Sequence, residues 1–123
     1  MRNHQLVRPE HLNHFGFLFG GCMLQWVDEV SWMSATTDYP GCHFVTIAMD
    51  KVEFRRSVKD GTILTFETEK THVGRTSVQY RVRVFGKVLD TREDQEVFST
   101  AVTLVRVDDG GHKLALPETG TVT

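Results

Sequence analysis

Residues 13–37 read Asn13-His14-Phe15-Gly16-Phe17-Leu18-Phe19-Gly20-Gly21-Cys22-Met23-Leu24-Gln25-Trp26-Val27-Asp28-Glu29-Val30-Ser31-Trp32-Met33-Ser34-Ala35-Thr36-Thr37. The stretch from Cys22 to Thr37 lacks Gly and Pro and is stopped by Asp38-Tyr39-Pro40-Gly41, so it reads as the one long helix of the chain. Met23, Val27, Val30 and Ser34 share one helical face, and Leu24, Asp28, Trp32 and Ala35 share the next. Only Gln25, Glu29 and Thr36 form a polar strip, so this helix is expected to be largely buried.

Downstream the period changes to that of strands. Val45, Ile47 and Met49 alternate with Thr46 and Ala48, and the apolar parity then switches to Val52 and Phe54. A switch within one strand predicts a β-bulge near Asp50-Lys51. Lys59-Asp60-Gly61 reads as a turn with a hairpin signature. Thr62 to His72 follows as a strand with Leu64 and Phe66 inward, and Val73-Gly74-Arg75 turns the chain again. Val78, Tyr80, Val82 and Val84 alternate with Gln79, Arg81 and Arg83, the pattern of a half-exposed antiparallel strand. Residues 86–95 read as a charged excursion, and Val97 to Val107, apolar on both parities, as a central strand ended by Asp108-Asp109-Gly110-Gly111. Upstream, the first eight residues read as a polar arm and Pro9 to Gly21 as a structured loop. The tail from His112 is expected to be loose.

One buried helix and several antiparallel strands predict an α+β fold, with the sheet curled around the helix. The chain has 123 residues, enough for one domain over 1–123 with its core at about 9–107. Such a sheet leaves a face and edges to cover, which predicts an oligomer. Fourteen basic against sixteen acidic residues give a net charge of −2, unlike the basic excess of nucleic-acid binders. No uncharged run approaches the roughly 18 residues of a membrane helix. No stretch resembles a signal peptide, so the expected compartment is the cytoplasm, with no membrane partner. Two cysteines make neither a disulfide framework nor a zinc site, the six histidines show no His-x-x-x-His or His-Glu-x-x-His pattern, and His11 and His14, an i, i+3 pair in a loop, are weak as a metal site, so no metal is expected.

Chemistry concentrates where loop meets helix. Gly20 and Gly21 let a ligand approach the backbone closely. The first helical N–H groups lack intrahelical acceptors and suit a developing oxyanion. Asp28, flanked by Leu24 and Trp32, needs a partner among apolar side chains, an environment suited to a general base or nucleophile. The plainer reading is a tight helix start and a hydrogen-bonded structural carboxylate. Cys22, in the first turn, is a thiol candidate but suits a small core residue better. Phe17 and Leu18 suit either a core or an apolar ligand tunnel, the core being the plainer reading. There is no Gly-x-Ser-x-Gly elbow. Arg75, Thr76 and Ser77 suit phosphate contacts, as does the Arg55-Arg56-Lys59 cluster; the alternative for both is a solvated turn.

The pattern Asn-x-x-Gly-x-x-Phe-Gly-Gly, with Asp seven residues after the second Gly, resembles the hotdog-fold acyl-CoA thioesterases. The likeness is to the single-domain bacterial hydrolases of the YciA type and to one half of the double-hotdog cytosolic acyl-CoA hydrolases. The matching residues are Asn13, Gly16, Phe19, Gly20, Gly21 and Asp28, with Trp26-Val27-Asp28-Glu29 close to the family's Trp-Met-Asp-Glu. Val73-Gly74-Arg75-Thr76-Ser77-Val78 and Phe98 to Val107 resemble two further family segments, while Phe17 stands where some relatives are polar.

The resemblance implies a hotdog domain that hydrolyses acyl-CoA to a free acid and CoA. Asp28 would be base or nucleophile, Asn13 would position water or the carbonyl, and the Gly20, Gly21 and Cys22 backbone would hold the oxyanion. No cofactor is implied, since CoA belongs to the substrate. The resemblance also implies homodimers through a continuous sheet, assembled as trimers of dimers, with Asn13 and Asp28 of one site on opposite subunits. The alternatives are a non-catalytic acyl-CoA-binding or sensing module, and a dehydratase. The latter usually needs a helix His that is absent from Cys22–Thr37.

Overall fold

The structure, a computed structural model, describes residues 1–87 and 93–117. Its elements are β1 (Arg2–Leu6), a 3-10 turn (Pro9–His11), α1 (Gly20–Asp38), β2 (His43–Phe54), β3 (Ile63–Val73), β4 (Ser77–Lys87) and β5 (Gln95–Val107). The strands form one antiparallel sheet in the order β1-β3-β4-β5-β2. α1 packs on one face of it, with Met23, Val27, Val30 and Ala35 buried against Leu64, Phe66, Val82, Phe98 and Leu104. Period-2 alternation on β4 puts Val78, Tyr80, Val82 and Val84 inward, as expected.

The helix begins two residues earlier than the Cys22–Thr37 reading, so Gly20 and Gly21 are its first turn and Phe19 is its N-cap. The polar arm is instead a strand: β1 pairs with β3, the Val7 N–H donates to the Thr62 carbonyl, and the Gly61 N–H donates to the Val7 carbonyl. Its residues are polar because β1 is an edge strand, where alternation is weak. The Lys59-Asp60-Gly61 turn exists, with Gly61 at φ +84°, but it closes no hairpin. It carries the chain from β2 at one edge to β3 next to the other. The described part of the tail is tied down: the Leu114 N–H donates to the Arg106 carbonyl, and the Leu116 N–H to the Arg75 carbonyl. The rest of the tail and the middle of the 86–95 excursion lie outside the described residues.

The β2 irregularity falls where expected. The register with β5 shifts between Asp50 and Glu53, and Lys51 has φ +53°. A second shift lies between Thr46 and Ala48. Each extra residue flips the side-chain parity, so Phe44 and Thr46, then Met49, then Phe54 all face the helix. Two bulges thus keep one strand aimed at α1 along its whole length, and they place the site.

Candidate active site

The loop before α1 is shaped by Asn13. Its N–H donates to the Phe17 carbonyl at 2.7 Å, and its carbonyl accepts from Gly16, which sits at φ +86°. Its side-chain Oδ1 accepts from the N–H groups of Phe15 (2.9 Å) and Phe17 (3.2 Å). The carboxamide oxygen is therefore used to hold the loop, which leaves its NH₂ group to donate elsewhere. Two further bonds, Leu18 N–H to the Val58 carbonyl and Phe19 N–H to the His11 carbonyl, fix where the helix starts. His11 packs edge-on against Trp26.

The helix head is a cradle of backbone. The Cys22 N–H is already committed to the Phe19 carbonyl at 3.0 Å, so Gly20 and Gly21 supply the leading N–H groups. A Cβ on Gly21 would stand 3.0 Å from the Phe19 ring, tighter than side chains normally tolerate. The half-buried Cys22 thiol is free. A cavity of about 450 Å³ joins Asn13 and Gly20 to Phe17, Leu18, Phe54 and Arg56, with Arg55 also in its wall. Arg55 is held by Glu53 (2.9 Å), Ser99 (3.1 Å) and Glu96 (3.6 Å). Arg56 makes no ion pair among the described residues.

Asp28 lies elsewhere. It is half-buried, and its Oδ1 accepts a hydrogen bond of 2.5 Å from Thr46 Oγ1 on β2. That hydroxyl is the partner an Asp among apolar neighbours requires. Asp28, Thr46, Trp32, Met33, Phe44 and Val45 line a second open cavity of about 630 Å³. Asp28 is eight helical steps beyond Gly20, about 12 Å along the axis at 1.5 Å per residue. A carbonyl carbon must lie roughly 3 Å from both nucleophile and oxyanion donors, so one chain cannot present both to one substrate. Thr46 carried no sequence signal. It is one polar residue in an alternating strand, and only the fold brings it to Asp28.

Arg75, Thr76 and Ser77 line neither cavity. They form the β3–β4 hairpin, with Gly74 N–H donating to the Ser77 carbonyl and Arg106 N–H to the Thr76 carbonyl. Ser77 pairs with Val105 near the start of β2, whereas Phe54, next to Arg55 and Arg56, pairs with Phe98 towards the other end of β5. The two basic segments therefore sit at opposite ends of the sheet in one chain. Among the described residues no three His, Cys, Asp or Glu side chains gather as a metal would need, and no helix is long and apolar enough to cross a membrane.

A sheet in this order around one long helix is the hotdog fold, and comparison with known proteins agrees. The model of the Thioesterase superfamily matches residues 15–90, and the chain belongs to that family. It is 31% identical over 105 residues to Protein VdlD of Helicobacter pylori, covering 85% of this chain and 60% of that protein. It is 31% identical to a hexameric hotdog fold thioesterase of Campylobacter jejuni, with a TM-score of 0.86 over 94% of this chain and 89% of that one. An apo-hexameric acyl-CoA thioesterase is 34% identical, with a TM-score of 0.88 over 95% and 74% of the two chains. The chain thus spans about 60% of the length of the first curated relatives that it matches.

Proposed function

We propose that the protein is an acyl-CoA thioesterase: acyl-CoA and water give a carboxylic acid and the CoA thiol. The observation that carries this reading is Asp28, half-buried and held through one oxygen by Thr46, on the same helix whose glycine head offers free N–H groups. The second carboxylate oxygen is left for chemistry, either to attack the thioester carbonyl or to take a proton from attacking water. The Gly20 and Gly21 N–H groups receive the charge that develops on the carbonyl oxygen, with Cys22 contributing to the geometry of the turn. The Asn13 NH₂ group orients water or the thioester.

Because Gly20 and Asp28 of one chain are too far apart, each site takes Asn13 and the glycine head from one copy and Asp28 from another. The protein on this reading is a homo-oligomer joined along the β2 edge, and its finer state is a trimer of dimers. The hexameric relatives support that number. Arg55 and Arg56, in the cavity wall beside Gly20, would meet the pantetheine arm, and Arg75, Thr76 and Ser77 of a neighbouring copy the CoA phosphates. No metal or redox group is needed, since CoA arrives with the substrate. The free thiols of Cys22 and Cys42 fit a reducing cytoplasm.

Thiol release from short, long and aromatic acyl-CoAs tests the reading. Asp28→Asn keeps the shape and the acceptor for Thr46, and it should lower turnover by about a hundredfold or more while the oligomer stays intact. Near-normal turnover in folded Asp28→Asn would sink the assignment. CoA esters that bind to wild type without releasing thiol would make the protein a binding module.

A further inference from the structure

The cavity beside Gly20 has a wall that the proposed chemistry does not use. Phe54 is the last residue of β2, and its side chain is 54% exposed although it faces the helix. It faces that way because the bulge between Asp50 and Glu53 has reset the parity of the strand. Its ring stands edge-on against the fully buried Phe98, with centroids 4.8 Å apart. On its other side, ring carbons lie 3.5–3.6 Å from where a Cβ on Gly20 would be, which is ordinary van der Waals contact with the head of α1. A large ring is thus fixed at its base by the core and laid on the backbone proposed to hold the thioester oxygen. The neighbouring wall is apolar, formed by Leu18, Met23, Val58 and Val97.

We propose that Phe54 sets the acyl-chain length the enzyme accepts, with the apolar acyl group lodged in this cavity against the ring. The inference rests on the thioesterase reading above. At about 450 Å³ the cavity lies towards the small end of ligand pockets, roughly 300–1,000 Å³. Part of that space is taken by the thioester and the pantetheine end, so the preferred acyl groups are short to medium aliphatic chains. Phe54 is exposed, so its size can change without opening the core, whereas Met23 and Val97 are buried and belong to the core.

The test is the ratio of kcat/KM for dodecanoyl-CoA to that for butyryl-CoA in wild type, Phe54→Ala and Phe54→Trp. A change of pocket size by one methylene shifts discrimination by roughly tenfold or more. Phe54→Ala should raise the ratio at least tenfold, and Phe54→Trp should lower it by a similar factor. Misfolding would lower both rates together and could not move the two variants in opposite directions. Ratios equal to wild type in both variants would overturn the assignment and make Phe54 a packing residue. If wild type releases thiol from no acyl-CoA, the thioesterase reading falls and this inference falls with it. Thiol release with unmoved ratios overturns the inference alone.

Discussion

Thr46 orients Asp28 with one hydrogen bond, and removing it separates positioning from chemistry. Thr46→Val keeps the shape and loses the donor. A hydrogen bond to a charged group contributes about 1.5–3 kcal/mol, so kcat should fall about 10- to 100-fold. KM should move little, and Thr46→Ser should restore most of the loss. Steady-state kinetics on the three proteins checks this, and a Thr46→Val enzyme with wild-type kcat would show that Asp28 needs no such support. Position 46 also marks where the sequence stopped being legible. Asn13, Gly20, Gly21 and Asp28 stand close together along the chain in a readable pattern. The partner of Asp28 is 18 residues away and reaches it only through the register of β2. The commitment of the Asn13 oxygen to the Phe15 and Phe17 N–H groups was hidden for a related reason, since side-chain bonds to a loop leave no periodicity.

Elements were legible where one face is buried and illegible where neither is. The alternation on β4 and the apolar faces of α1 could be read directly, and the bulge at Asp50-Lys51 followed from a parity switch. β1 was missed because both its faces are mixed, and the Asp60-Gly61 turn misled because a turn signal does not say which strands it joins. The far end of α1 is secured by a polar cluster that no motif announced. Tyr80 Oη donates to Asp38 Oδ2 at 2.6 Å, Lys70 Nζ lies 3.5 Å from the same carboxylate oxygen, and Ser34 and Thr68 share a hydrogen bond of 2.6 Å. Burial, and then the hydrogen bond and charge of Asp38, push the Tyr80 phenol well above its ordinary value. A raised value in the folded state stabilises the fold fully below the unfolded tyrosine value of about 10 and progressively less above it. Stability should therefore fall by about 1.4 kcal/mol per pH unit once the pH passes about 10, and Tyr80→Phe should remove that slope. Denaturant melts of both proteins between neutral pH and pH 11 measure it. Equal slopes would show that the Tyr80 proton is not held by the fold.

At the scale of the whole molecule, the proposed function makes one chain half of two sites. The β2 edge is long and unpaired among the described residues, and it carries Val45 and Ile47, each about half exposed, beside a half-exposed Trp32 on α1. A 12-residue apolar edge strand left bare invites pairing, and a second β2 covers it. Ile47→Asp should disperse the assembly in light scattering and abolish thiol release together, although position 47 points away from Asp28. A monomer that keeps full turnover would mean the site is complete in one chain. The sequence predicted an oligomer from uncovered sheet. The reason that activity should need one appears only in the helix, where about 12 Å separates the oxyanion cradle from the carboxylate.

The most direct measurement is therefore complementation. Asn13→Ala and Asp28→Ala subunits are prepared separately, shown to be folded and inactive, then unfolded together and co-assembled in equal amounts, and thiol release is compared with wild type. If each site draws Asn13 from one copy and Asp28 from another, half of randomly mixed dimers restore one intact site of two, and about a quarter of wild-type activity returns. A co-assembled mixture as inactive as its parents would contradict a site shared between subunits.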